Sequence, residues 1–158
     1  CPFHASAHAM FEHIRQTYPN VRYIFRDFPL DAACNELVKQ EINPRGCEAS
    51  RLAIAAGRLL GDNGYWKAHD WIVRNRDHLE NVTIENLAAH LAIAPGDLRK
   101  MTVSDDVDAI LLENLSLAIS MSVTMSPTIY VNGKLVSGWR TPGVLDRVVA
   151  TAVSGSAK

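Results

Sequence analysis

Cys1-Pro2-Phe3-His4 is the stretch from which we predict the fold, because it joins a cysteine to the start of a helical segment. Apolar residues recur at helical spacing over residues 4–17, and Tyr18-Pro19-Asn20 ends the run. The cysteine thus stands at a helix N-terminus, where unpaired amides and the helix dipole stabilise a thiolate. The sequence therefore predicts a reactive cysteine, with a histidine three residues later where a dithiol site has its second cysteine.

Length and composition limit the classes of function. The chain has 158 residues, of which 47% are hydrophobic and 21% are charged, which is typical of one globular domain with a buried core. The formal net charge is -1 and the isoelectric point is about 6.6, so the composition favours neither a nucleic-acid surface nor an acidic tail. We expect protein or small-molecule partners, no nucleic acid and no cofactor.

The residue pattern predicts the order helix, strand, several helices, hairpin and helix. Alternation over 21–26 predicts a strand, and the β-rich runs on either side of Asn132-Gly133 predict a hairpin. Helices are predicted at 4–17, 47–60, 65–76, 84–91 and 105–123 and after Thr141-Pro142, with Thr83 and Ser104 as N-caps. Residues 95–101 are predicted as a turn or a short helix. Three strands make a thin sheet for so many helices, so we expect a further strand upstream of Cys1.

These features together resemble the DsbA-like branch of the thioredoxin superfamily, along nearly the whole chain. The resemblance rests on Cys-Pro-aromatic at a helix start, on Phe25-Arg26-Asp27-Phe28-Pro29-Leu30, and on Ser126-Pro127-Thr128 before Asn132-Gly133-Lys134. The segments at 31–35 and 46–49 look like the DsbA-like domains associated with vitamin K epoxide reductase homologues. The resemblance implies an α/β, thioredoxin-like fold with its N-terminal strand missing from the chain. It implies one domain over 1–153, with a helical insertion at about 47–123 and a flexible tail at 154–158.

The resemblance also implies roles for individual residues. Cys1 is expected to be the catalytic nucleophile, and His4 modulates it from the position of the resolving cysteine. Pro127 corresponds to the family's cis-proline, and it faces substrate together with Ser126, Pro2 and Phe3. A Cys-x-x-His site forms a mixed disulfide but needs an external thiol to release it.

The expected activity is thus monothiol-type thiol–disulfide exchange on protein substrates, by an oxidoreductase or an isomerase-like enzyme. The implied partners are protein thiols or disulfides and a membrane quinone-linked redox partner. The implied location is extracytoplasmic, either periplasmic or tethered to the membrane and facing outside.

Two alternatives stay open for the same site. In the first, the chain is a catalytically degenerate thioredoxin-like module that only binds proteins. In the second, Cys1, His4 and His8, spaced i, i+3 and i+7 along one helical stripe, bind copper or zinc.

The other two cysteines, Cys34 and Cys47, are predicted to form a structural disulfide that leaves Cys1 free. Two buried thiols are the alternative, because spacing in sequence does not give the Cα separation. His69 and Asp70, which follow Trp66 on a predicted helix, are expected to pack rather than to catalyse.

Overall fold

A computed structural model describes residues 2–40 and 42–155, with side chains from Ser6 onward. The chain divides into two compact units, one comprising Cys1–Phe25 with Val123–Lys158 and the other comprising Arg26–Ser122. In chain order the described elements are α1 (Pro2–Thr17), α2 (Gly46–Arg74), a 3₁₀ turn (Leu79–Asn81), α3 (Ile84–Leu91), α4 (Pro95–Thr102), α5 (Asp105–Ser120), β1 (Tyr130–Val131), β2 (Lys134–Leu135) and α6 (Val144–Gly155).

In the unit formed by residues 1–25 and 123–158, α6 packs against α1 and against the hairpin strand β1. Its core is apolar and combines Ala7, Ile14, Val136, Trp139, Leu145 and Val149. In the hairpin, Tyr130 pairs with Leu135 and Val131 with Lys134. Asn132 has φ 49° and Gly133 has φ 76°, so both residues take the left-handed conformation of a type I′ turn. The predicted hairpin is confirmed, although each strand has only two residues.

The second unit, Arg26–Ser122, is a helical assembly in which α2 packs against α3, α4 and α5. Its core contains large, fully buried side chains, among them Leu52, Leu87, Leu98 and Val107. The predicted N-caps are confirmed, since the Thr83 and Ser104 hydroxyls accept hydrogen bonds from the backbone N–H groups of Asn86 and Val107.

Helix α2 is two helical segments, 46–60 and 62–74, joined at Gly61. Gly61 has φ 71° and ψ −167°, a backbone conformation that is open essentially to glycine alone. The predicted end of the helix over 47–60 is therefore confirmed in position. The break turns the second segment back along the first.

None of the helices in the described part of the chain is both long and apolar enough to cross a membrane.

The prediction of a thioredoxin-like α/β fold is wrong. The described residues form six α-helices and a single two-stranded hairpin. Residues 21–26, predicted as a strand, are irregular, and the side chain of Ile24 is 59% exposed. Alternating apolar residues make a strand only when a neighbouring strand supplies the ladder hydrogen bonds, and in residues 2–40 and 42–155 such pairing is confined to the hairpin.

Candidate functional site

Most residues of the site predicted from sequence lie outside the described side chains. Cys1 is outside the described residues, and Pro2, Phe3 and His4 lie in α1 without described side chains. Ser126 and Pro127 are joined by a cis peptide bond. The assignment of these residues as catalytic or substrate-binding stays a prediction.

His8, the third member of the predicted metal set, is buried in α1. Its Nε2 atom lies 3.8 Å from the Glu12 carboxylate, one helical turn away. The other two members, Cys1 and His4, have no described side chains.

Cys34 and Cys47 form a disulfide with a Cα–Cα separation of 6.0 Å. Asp31 reinforces this connection, because its carboxylate accepts hydrogen bonds from the backbone N–H groups of Ala33 and Cys47, each at 2.9 Å. The Cys47 amide belongs to the first turn of α2, where a negative charge is favourable. The disulfide and Asp31 thus fix the segment before α2 to the start of that helix.

The helical unit buries a second carboxylate, that of Asp27, which is 7% exposed. The Tyr65 hydroxyl donates a hydrogen bond to its Oδ2 atom at 3.0 Å, and the Ser50 side chain also hydrogen-bonds to it. Ser50 lies on the first segment of α2 and Tyr65 on the second. One buried carboxylate therefore connects both sides of the break at Gly61.

Burial changes the acidity of this carboxyl. Loss of solvation raises the pKa of Asp27 from 3.8 to about 6, against the opposing effects of the Tyr65 hydrogen bond, the charge of His69 and the Ser50 hydrogen bond. His69 is buried too, and its ring stacks on Tyr65 and meets the edge of Trp66, with centroid distances of 6.0 and 5.5 Å. The prediction that His69 packs is confirmed.

Glycine allows the two segments of α2 to approach closely enough to enclose this carboxylate. A methyl group on Gly57 would lie 3.0 Å from the Cβ atom of Tyr65. A methyl group on Gly64 would overlap the side chain of Leu60 and lie 2.5 Å from the carbonyl oxygen of Ala56. The sequence places glycine where the second segment folds back on the first.

The arrangement suits proton binding in the range around pH 6. A carboxyl with that pKa changes charge within a range where an exposed aspartate stays ionised. Sequence reasoning missed Asp27, which entered only as part of the motif Phe25-Arg26-Asp27-Phe28-Pro29-Leu30. Its position between Phe25 and Phe28 was the available signal, because a charged residue among aromatics is a candidate for burial.

The chain is similar in sequence to parts of two sodium–proton antiporters. The chain is 25% identical over 168 residues to Na(+)/H(+) antiporter NhaA 1 of Salinispora arenicola, and the match covers 99% of this chain. It is also 25% identical over 167 residues to Na(+)/H(+) antiporter NhaA 3 of Salinispora tropica, again over 99% of the chain. The chain spans 22% of the length of each antiporter. No protein-family model matches the chain, and no solved structure matches it.

These comparisons correct the function predicted from sequence. The resemblance to the DsbA-like branch and the prediction of thiol–disulfide exchange are wrong, since the matching proteins are antiporters. The predicted descriptions of the chain as a thioredoxin-like oxidoreductase with a redox-active cysteine are therefore wrong too. Neither alternative, the degenerate binding module or the copper or zinc site of Cys1, His4 and His8, gains support. The physical reason for the error is that short motifs such as Cys-Pro-Phe-His set local chemistry without specifying the sheet that a thioredoxin-like site requires.

Proposed function

We propose that this chain has a transport-related function, as a part of a sodium–proton antiporter that adjusts ion exchange to the surrounding pH. The observation that carries the proposal is the similarity of 99% of the chain to each of two antiporters.

The site around Asp27 supports the pH-sensing part of the proposal. A sensor of this kind needs a group whose charge changes near the working pH and whose surroundings respond to that change. Asp27 is buried and hydrogen-bonded to Tyr65, and the Coulombic influence of His69 lowers its pKa. A proton exchanged at this carboxyl changes the charge inside a packed helical unit.

The test is an exchange assay on a chimeric antiporter. The region of the Salinispora arenicola antiporter aligned with this chain is replaced by the chain, and a second form lacks that region. Both forms are reconstituted in vesicles, and sodium-driven proton movement is followed as a function of pH. We expect the deletion to change the pH profile and the chimera to restore it.

The control is the same chimera carrying Asp27→Asn, which keeps the size of the side chain but removes its titration. We expect its pH profile to lose the component centred near pH 6. If the deleted form and the chimera show the same profile as the intact antiporter, the proposal fails.

An extracytoplasmic location remains part of the proposal. The Cys34–Cys47 disulfide supports it, because disulfides persist mainly in oxidising compartments. An alkaline phosphatase reporter, which is active only outside the cytoplasm, is expected to be active when fused to the chain. An inactive alkaline phosphatase fusion, with a β-galactosidase fusion active in its place, would contradict this location.

A further inference from the structure

We propose that Asp27 and the glycine break at Gly61 form a proton-operated switch, in which loss of the Asp27 proton favours separation of the two segments of α2. This inference rests on the proposed function and names the element through which the helical unit responds to pH. The closed arrangement is the one in the structure, and the open arrangement admits water to the carboxylate.

Asp27 connects the two segments of α2. Its carboxylate is hydrogen-bonded to Ser50, near the start of α2, and to Tyr65, beyond the break. Ser50 and Tyr65 are far apart along the helix but meet at one buried group. A change in the charge of that group acts on both segments together.

Gly61 is the hinge between the two segments. Gly61 is exposed, has a left-handed φ of 71°, and its missing Cβ would meet nothing within 4 Å. Glycine in that setting changes its backbone angles without a steric penalty from a side chain. The segment that follows can therefore pivot at Gly61 while both helical segments keep their internal hydrogen bonds.

The direction of the switch follows from the cost of burying charge. An ionised carboxylate loses solvation in the closed arrangement, whereas a neutral carboxyl loses far less. Where water reaches it, Asp27 returns to its ordinary pKa of 3.8, against about 6 when enclosed. A difference of one pKa unit changes an equilibrium constant tenfold. The equilibrium constant for opening therefore increases about a hundredfold as the pH rises past both pKa values of Asp27.

The groups around Asp27 determine the pH at which its carboxyl loses the proton. Tyr65 and His69 face Asp27 from the second segment of α2, and Ser50 faces it from the first. His69 in turn lies 3.3 Å from the Asp70 carboxylate. Arg26, next to Asp27 in sequence, donates instead to the Asn114 side chain at 3.1 Å and lies 3.4 Å from Glu113. The Coulombic influence of His69 lowers the pKa of Asp27 and so partly offsets the effect of burial.

The experiment is backbone amide hydrogen exchange on the full chain, with rates corrected for the intrinsic effect of pH. Between about pH 5 and about pH 7.5, linkage predicts a rise of roughly tenfold in the exchange of residues 57–65, levelling off above about pH 6. Asp27→Asn is expected to keep exchange at these residues constant over the same range. Asp97→Asn, which removes an exposed carboxylate of α4, is expected to behave like the unaltered chain.

Two results would overturn the switch: corrected exchange at residues 57–65 that does not change with pH, or the same pH dependence in Asp27→Asn. Ser50→Ala gives a second test if Asp27→Asn does not fold. It removes a hydrogen bond that lowers the pKa of Asp27, so the rise is expected to continue to higher pH before it levels off. If exchange in Ser50→Ala levels off at the same pH as in the unaltered chain, that result would also contradict the switch.

The outcome is independent of the antiporter assay, because exchange is measured on the chain by itself. A switch that operates in solution while the chimera shows no effect on transport overturns the proposed function alone. A pH effect on transport with unchanged amide exchange overturns the switch alone.

Discussion

Asp27 shows how a single buried charge makes stability depend on pH. Because burial raises its pKa to about 6, the folded chain holds this proton more tightly than the unfolded chain, whose aspartate keeps a pKa near 3.8. The stabilisation is complete below about pH 3.8 and is lost as the pH rises through about 6. An ordinary ion-paired aspartate has the opposite dependence.

Replacing this carboxyl by an amide is therefore expected to stabilise the chain at neutral pH. Asp27→Asn removes a charge that costs up to about 3 kcal/mol when buried, by the linkage between its two pKa values. The gain in the free energy of unfolding, measured by urea denaturation, is expected at about pH 7.5 and to vanish toward about pH 4. A variant that is less stable than the parent at neutral pH would show that hydrogen bonds to the carboxylate outweigh its desolvation.

Capping residues and the buried aspartate differ in how far sequence reveals them. Thr83 and Ser104 were predictable because an N-cap acts on an amide three residues away. The partners of Asp27 are long-range, since Tyr65 is 38 residues distant along the chain. Only the tertiary fold brings that hydroxyl to the carboxylate, so neither its burial nor its pKa follows from local pattern.

Helix α2 depends on glycine for packing as well as for its break. Gly64→Ala adds a methyl group that overlaps Leu60 and the Ala56 carbonyl, so we expect destabilisation by roughly 1–3 kcal/mol despite alanine's higher helix propensity. Gly96→Ala in α4 is the matched control, because its methyl group meets nothing within 4 Å. That control is expected to be neutral or to stabilise by up to ~1 kcal/mol in thermal or urea unfolding. Equal effects of the two substitutions would contradict the close packing at Gly64.

The segment before α2 is held by the Cys34–Cys47 disulfide, which spans 13 positions in sequence. A covalent loop of this size restricts the unfolded chain, so replacing both cysteines by alanine is expected to cost about 3 kcal/mol in the free energy of unfolding. Cys1→Ser keeps the disulfide and serves as the control in the same urea titration. Unchanged stability in the double variant would mean that the Asp31 hydrogen bonds alone hold this segment.

The fold of the chain was predictable in its helices but not in its sheet. Helical periodicity and end signals are local, and they placed α1, the break in α2, α3, α4, α5 and α6 close to where they occur. Strands depend on partners that are distant in sequence, so alternation over residues 21–26 gave a strand where the chain is irregular. The motif-based resemblance then supplied a sheet that the described residues do not form.

The helical unit Arg26–Ser122 is continuous in sequence and has its own apolar core and its own disulfide. It also contains Ser50, Tyr65 and His69, which act on Asp27. Those are the requirements of a domain that folds by itself. We therefore expect residues 26–122, expressed alone, to be helical by circular dichroism and to unfold cooperatively in urea. Because Ser50, Tyr65 and His69 are all retained, its stability is expected to fall between about pH 4 and about pH 6, as in the full chain. A fragment that folds but lacks this pH dependence would place the origin of the Asp27 effect outside the helical unit.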